Sequence, residues 1–332
     1  FGGGTPSLMS PRFYQQLIAF IQEHIAFDPD IEITLEANPG TTEASKFSGY
    51  REAGINRLSI GVQSFQAEQL KNLGRIHSGD EAIKAVRQAK QAGFNNFNLD
   101  LMHGLPGQDL GLAMDDLKQA LDLEPPHLSW YQLTLEQNTE FYRHPPVLPE
   151  DDALWAIQQA GGELLSHAKR IQYEVSAFSQ ENRQAKHNIN YWRFGDYLGI
   201  GAGAHGKVSI INSLSDSECS QQGLVIARYR KTRMPKDYLS AGYNLQPQPS
   251  FRIGENEVTA EDLPFEFLMN ALRLREGVEE SLFESRTGLS LAVLEPVLST
   301  LRQQGLIKTQ GLCPTDKGHL FLNNVLERFA AL

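Results

Sequence analysis

Over the first 140 or so residues, apolar positions switch repeatedly between helical and strand spacing. Ser10 before Pro11 reads as a helix cap with a first-turn proline, and Phe13, Leu17, Phe20 and Ile21 then share one helical face. Strand-like runs are predicted at 31–35, 57–62, 97–101 and 128–135, separated by helices that include roughly 43–53 and 80–92. The unit repeats visibly. Ala53-Gly54-Ile55-Asn56 leads into one strand, and Ala92-Gly93-Phe94-Asn95 leads into the next with a 39-residue period. Each glycine stands where a helix C′ residue would turn left-handed.

Such a βα repeat implies an α/β fold with parallel strands and helices outside them, as a barrel or an open doubly wound sheet. The polar residues help to choose. Glu36, Gln63 and Asp100 fall at the carboxyl ends of three successive predicted strands, where a barrel carries its chemistry. A single acid after a strand more often caps the following loop, but three in series beside Gly2, Gly3 and Gly4 favour a site. The opening Phe1-Gly2-Gly3-Gly4-Thr5-Pro6, without an initiator Met or a signal-type apolar stretch, reads as a start in mid-domain with upstream sequence missing.

A proline-rich stretch at 145–149 breaks the pattern, 151–165 reads as an amphipathic helix, and a mixed segment follows at 173–178 and 187–192. Gly201, Gly203 and Gly206 spell a dinucleotide-type G-x-G-x-x-G, yet a strand-like run at 207–211 follows it where a helix is required. Arg228, Arg230, Lys231, Arg233 and Lys236 form a basic cluster, read first as a solvated loop and second as an anion or carboxylate contact. From about residue 263 the order helix, helix, hairpin resembles a winged helix. Residues 261–332 hold 10 acids against 7 basic residues, which favours a packing or docking module over DNA binding.

Composition narrows the classes. At 332 residues with 41% hydrophobic and 21% charged positions, the chain can bury a large domain and a smaller one. A formal charge of -10 removes any general nucleic-acid footprint, and no apolar run reaches the length of a membrane span. The two cysteines, Cys219 and Cys313, exclude a disulfide framework and suit a reducing cytoplasm. They also cannot supply the three or four thiolates of an iron–sulfur cluster.

Five ordered motifs carry a resemblance. Phe1-Gly2-Gly3-Gly4-Thr5-Pro6-Ser7, Glu36-Ala37-Asn38-Pro39, Gly61-Val62-Gln63-Ser64-Phe65, Gly74-Arg75 and the run from Asn98 through Asp100 and His103 to Pro106 resemble radical S-adenosylmethionine (SAM) proteins related to oxygen-independent coproporphyrinogen III oxidase. His187-Asn188-x-x-Tyr191-Trp192 and the glycine-rich 199–206 resemble the haem-chaperone branch of that family. The resemblance implies a partial (β/α) radical SAM barrel over 1–145, lacking its first strand and cluster loop. A mixed extension at 146–260 and a winged-helix-like α+β domain at 261–332 would follow.

It also implies roles. Gly3 and Gly4, with Thr5, would offer backbone to the methionyl amino group of SAM, Glu36 would meet its charged end, and Gln63 and Asp100 would bind the ribose hydroxyls. Arg75 would contact the carboxylate or hold Glu36, a structural salt bridge being the plainer reading. The family's Cys-x-x-x-Cys-x-x-Cys loop, which binds a 4Fe-4S cluster, is absent from this chain and is expected in the complete protein only. His187 is the candidate haem ligand, with Tyr191 and Trp192 as aromatic contacts; the plainer reading is a core histidine beside buried aromatics. His205, in a glycine-rich turn, is a weaker haem candidate that could simply cap backbone, and His103, following Asp100, could line the SAM pocket or be structural. The implied function is haem binding and transfer to cytoplasmic or membrane-associated haemoproteins, with a homodimer allowed; the alternative is oxidative decarboxylation of coproporphyrinogen III propionates. A third reading is a barrel that binds SAM without redox chemistry.

Overall fold

The computed structural model describes residues 1–211, 224–243 and 252–330, and divides into two units, Phe1–Lys186 and His187–Leu332. Cys219 lies outside the described residues.

The first unit is built on a six-stranded sheet. Its strands are β1 (Thr34–Ala37), β2 (Arg57–Gln63), β3 (Phe97–His103), β4 (His127–Gln132), β5 (Ile171–Glu174) and β6 (Ala177–Ser179), in the order β1-β2-β3-β4-β6-β5. The first four are parallel, in register at Leu35 with Leu58, Ile60 with Leu99 and Leu99 with Leu128. β6 returns antiparallel on β4, and β5 antiparallel on β6, so the sheet runs on past residue 145. At the outer edge of β1, the backbone of Phe1 makes the two bonds of a parallel neighbour: its N–H donates to the Thr34 carbonyl and its carbonyl accepts from the Glu36 N–H.

Local chemistry accounts for the helices. The Ser10 hydroxyl accepts from the Phe13 N–H at 3.3 Å, and Ser78 with Glu81 forms a reciprocal capping box at the head of Gly79–Gln91. Gly54 and Gly93 adopt φ of +103° and +84°, the left-handed helix stops that the repeat predicts. The predicted helix at 43–53 is instead two short pieces, Thr41–Ala44 and Phe47–Glu52. At 31–33 the Asn56 side chain takes the Ile31 carbonyl and the Ile33 N–H, standing in for a strand neighbour, so β1 begins only at Thr34.

The two faces of the parallel sheet differ sharply. Leu35, Leu58, Ile60, Val62, Leu99, Leu101, Leu128 and Trp130 are buried with Ala85, Val86, Leu117 and Ile157 of the covering helices, forming the apolar core. Alternate residues on the same strands are polar: Thr34 and Glu36, Arg57, Ser59 and Gln63, Asn98 and Asp100, His127 and Ser129. That face of the sheet is therefore hydrogen-bonding surface.

The second unit holds an antiparallel sheet of β7 (His205–Ile211), β8 (Leu224–Lys231) and β9 (Arg252–Glu257). A separate core gathers Phe267, Leu268, Phe283, Leu298, Val325 and Phe329 from the helices that follow. Bridges from Val278 to Leu312 and from Ile307 to Pro314 tie the turn between them. Among the described residues, no helix is long and apolar enough to cross a membrane.

Candidate functional site

At the carboxyl ends of β1 to β3 a cavity of about 180 Å³ is lined by Gly4, Thr5, Glu36, Gln63, Arg75 and Asp100. Six of the seven residues that the sequence picks out for SAM thus meet around one space. The seventh, Gly3, lies beside it and donates its N–H to Glu36 Oε2 at 3.2 Å. Gly3 and Gly4 have φ of +80° and +66°, and a methyl added to either would meet no atom within 4 Å. Their backbone is therefore left-handed and open to an occupant. Gly2 is packed instead: an added Cβ would lie 2.6 Å from Glu36 Oε1.

Gln63 combines burial with strain. It has φ of +67°, unusual for a residue with a side chain, and its Oε1 accepts from Tyr131 Oη at 2.9 Å, which leaves its amide N–H groups as the donors still to be used. Burial pushes the Tyr131 phenol pKa up, so it remains a donor. Helix Leu110–Asp122 anchors the turn after Gln63, because Asp116 accepts from Ser64 Oγ at 2.6 Å and from the Phe65 N–H at 2.8 Å. Arg75 follows the left-handed Gly74 and makes no ion pair with Glu36 among the described residues, so the salt-bridge reading is corrected: the two groups flank the cavity separately.

Asp100 is not at a strand end, because β3 runs on to His103; it reaches the cavity from the polar face of the sheet. Its Oδ1 accepts from Asn98 Nδ2 at 2.8 Å and its Oδ2 from Ser59 Oγ at 3.0 Å. Burial raises its pKa above the usual carboxylate value, against these bonds and the nearby Arg57. Behind it lies a network that the sequence reading missed. Asn98 Oδ1 accepts from His127 Nδ1 at 2.7 Å and from Ser129 Oγ at 3.1 Å, and His127 Nε2 meets Tyr173 Oη at 2.8 Å. With Nδ1 donating, Nε2 of a neutral ring accepts from the phenol. Below this, the Arg57 guanidinium is 2% exposed and stands 3.8 Å from Glu32. The signal was present as the period-2 polar positions Arg57, Ser59, Gln63 and Asn98, Asp100.

His103 points the other way. Its ring lies 4.2 Å from that of Trp130 on the apolar face, and burial lowers its pKa to about 4, so it plays no part in this cavity.

In the second unit, His187 sits in helix Lys186–Trp192 and is exposed, which corrects the core-histidine reading. Its ring centroid is 6.4 Å from Tyr191, four residues on, and Tyr191 stands edge-on to Tyr197 at 4.8 Å. The glycine-rich turn is structural. A Cβ on Gly199 would lie 2.1 Å from the His205 carbonyl and one on Gly206 2.1 Å from the Tyr229 ring. Most of the basic cluster is not a loop: Arg228, Arg230 and Lys231 belong to β8, where Lys231 is buried and Arg228 pairs with Glu266 at 2.5 Å, and only Arg233 lies in the turn that follows. Strand alternation, masked in the sequence by the charges, set this outcome.

The donor set of the cavity fits SAM on the structure's own terms. Two carboxylates suit an ammonium and a diol, a guanidinium suits a carboxylate, and two side-chain-free residues leave room beside the backbone. A 4Fe-4S cluster does not fit: among the described residues no group of three metal-ligating side chains exists, and Cys313 is buried in the other unit.

Residues 1–120 match the radical SAM superfamily model and residues 258–321 the HemN C-terminal domain model. The chain is 49% identical to the protein named "Heme chaperone HemW" of Haemophilus influenzae, over 99% of this chain and 81% of that one. Its counterpart of the same name in Escherichia coli is 48% identical, over 99% and 83%. In fold, the chain is similar to the Escherichia coli coproporphyrinogen III oxidase HemN, a radical SAM enzyme, with a TM-score of 0.77 at 21% identity, covering 99% of this chain and 76% of that one. Taken with the motifs that converge on the first unit's cavity, these likenesses establish that the chain belongs to the HemW haem-chaperone family of radical SAM proteins.

Proposed function

We propose that this protein binds haem and hands it to haem-receiving proteins, cytoplasmic or membrane-associated, with SAM held on the polar face of β1 to β3. The observation that carries the haem reading is the His187-Asn188-x-x-Tyr191-Trp192 helix, which exposes an imidazole beside an aromatic pair in a chain of this family. A neutral imidazole is a good iron ligand, and aromatic side chains supply apolar contact to a macrocycle.

In the first unit, Gly3, Gly4 and Thr5 present backbone to the methionyl end, Glu36 accepts from its ammonium, and Arg75 meets its carboxylate. Gln63 and Asp100 hold the ribose hydroxyls. SAM, when bound, supplies a sulfonium with an activated carbon–sulfur bond. The chain's residues orient it and exclude water from the buried side. A 4Fe-4S cluster is assigned to the complete protein, with ligands other than those of this chain. The finer partition, with a mixed extension up to 260 and a winged-helix-like module after it, belongs to the same proposal, as do a cytoplasmic setting and a homodimer. Oxidation of coproporphyrinogen III is not favoured, because only a shared fold supports it.

Titration of the protein with hemin, followed by its absorbance, tests the reading. Wild type is expected to bind and His187→Ala to bind at least about tenfold more weakly. Equal affinity in the two proteins removes His187 and overturns the proposal.

A further inference from the structure

Polar positions alternate along β4 as they do along β3. His127, Ser129 and Tyr131 stand on the polar face, while Leu128 and Trp130 enter the apolar core. His127 and Ser129 belong to the network behind Asp100, but Tyr131 does not. Its phenol makes a single hydrogen bond among the described residues, donated to Gln63 Oε1 at 2.9 Å, and this contact reaches from β4 to β2 over the intervening β3. The phenol also lies within electrostatic reach of Asp100, Arg75 and Glu36, three residues that line the first unit's cavity.

Gln63 needs such a partner. It sits where the β2–β3 register breaks and at φ of +67°, a conformation that persists only where the surroundings hold it. Its amide has two ends of opposite character, an oxygen that accepts and a nitrogen that donates. Tyr131 tells them apart, because Oε1 is the one acceptor its O–H has. Nε2 is thereby turned toward Gly61, another residue lining the cavity, where an added Cβ would lie 3.0 Å from it. Gly61 has no side chain to fill that space, and no described group accepts from Nε2. The cavity thus presents a donor at Gln63 beside the carboxylate oxygens of Asp100. That pairing complements a vicinal diol, in which one hydroxyl accepts and the other donates.

We infer that Tyr131 is a positioning residue for SAM: its phenol fixes the Gln63 amide with Nε2 toward the cavity, as the donor to a ribose hydroxyl. The inference rests on the SAM reading and adds to it a residue that does not itself line the cavity. Without the phenol, Oε1 loses its donor and both orientations of the amide become open.

SAM and its 2′,3′-dideoxy analogue are the probes, titrated by calorimetry against the whole chain. Tyr131→Phe keeps the ring and deletes the phenol oxygen. It is expected to weaken SAM about fivefold and to leave the analogue unchanged, so that the preference for SAM narrows by the same factor. In a Gln63→Ala background the same substitution is expected to change nothing further, because the group it positions is gone. Three results would each overturn the inference: SAM binding by Tyr131→Phe equal to wild type, an equal loss on SAM and on the analogue, or a further loss of SAM in the Gln63→Ala background. Failure of this inference alone would show as SAM binding that responds to Gln63→Ala but not to Tyr131→Phe. Failure of the SAM reading would show as no SAM binding by wild type, or as Gln63→Ala and Asp100→Ala both binding SAM like wild type, and it would overturn both.

Discussion

Asp116→Asn isolates the group that anchors the Gln63 turn. Asp116 is 1% exposed, and burial pushes its carboxyl from 3.8 up to about 6, against the bonds from Ser64 and Phe65. The native state therefore holds a proton that the unfolded chain has released between these two values. Stability contributed by Asp116 falls as pH rises through that window, by about 3 kcal/mol in all at 1.36 kcal/mol per unit. His103 has the opposite sign. Its pKa is lowered to about 4 by burial, so the unfolded chain binds the extra proton and stability rises with pH between about 4 and 6.5. In wild type the His103 slope opposes that of Asp116 near pH 5, and His319, whose pKa burial also lowers to about 4, adds to the His103 side. Asparagine can accept from the Phe65 N–H and give its amide to Ser64 Oγ, so the variant keeps the anchor and loses the titration. Relative to wild type, Asp116→Asn is expected to gain roughly 3 kcal/mol between pH 4 and pH 6.5. Urea unfolding across that range measures the difference directly, with exchange of the Phe65 amide as the local readout. A difference that stays constant with pH would refute the reasoning.

Two further predictions follow from packing and hydrogen bonding. In helix Asp151–His167, a Cβ on Gly161 would lie 2.0 Å from the Trp130 ring, whereas one on Gly162 would touch nothing within 4 Å. Thermal unfolding is expected to show Gly161→Ala destabilised by about 2 kcal/mol and Gly162→Ala stabilised by about 0.5–1 kcal/mol; equal effects would deny the close packing. Asn98→Leu removes a donor from Asp100 and orphans His127 Nδ1, and should cost roughly 3–5 kcal/mol in urea unfolding. A loss under about 1 kcal/mol would mean that the polar network contributes little.

The first unit was legible where one residue decides the backbone. Ser10, Gly54 and Gly93 set helix ends through their own geometry, and their structure agrees with the pattern. Glu36, Gln63, Arg75 and Asp100 were also readable, because family motifs mark them. What stayed hidden depends on partners distant in sequence. Asn98 becomes meaningful only when Ser59 and His127 arrive on neighbouring strands, and Asp116 only when the Ser64 turn docks on its helix. Arg228 looked like solvated charge, since nothing nearby in sequence announces Glu266 across 38 positions.

The proposed function places SAM and haem at separable sites, SAM on the polar face of the first unit and haem at His187 of the second. The most direct measurement is a pair of titrations, SAM by calorimetry and hemin by absorbance, on wild type, Asp100→Ala and His187→Ala. Asp100→Ala is expected to lose SAM and keep hemin, and His187→Ala to lose hemin and keep SAM. Either substitution abolishing both ligands, or neither ligand responding to its own substitution, would contradict it.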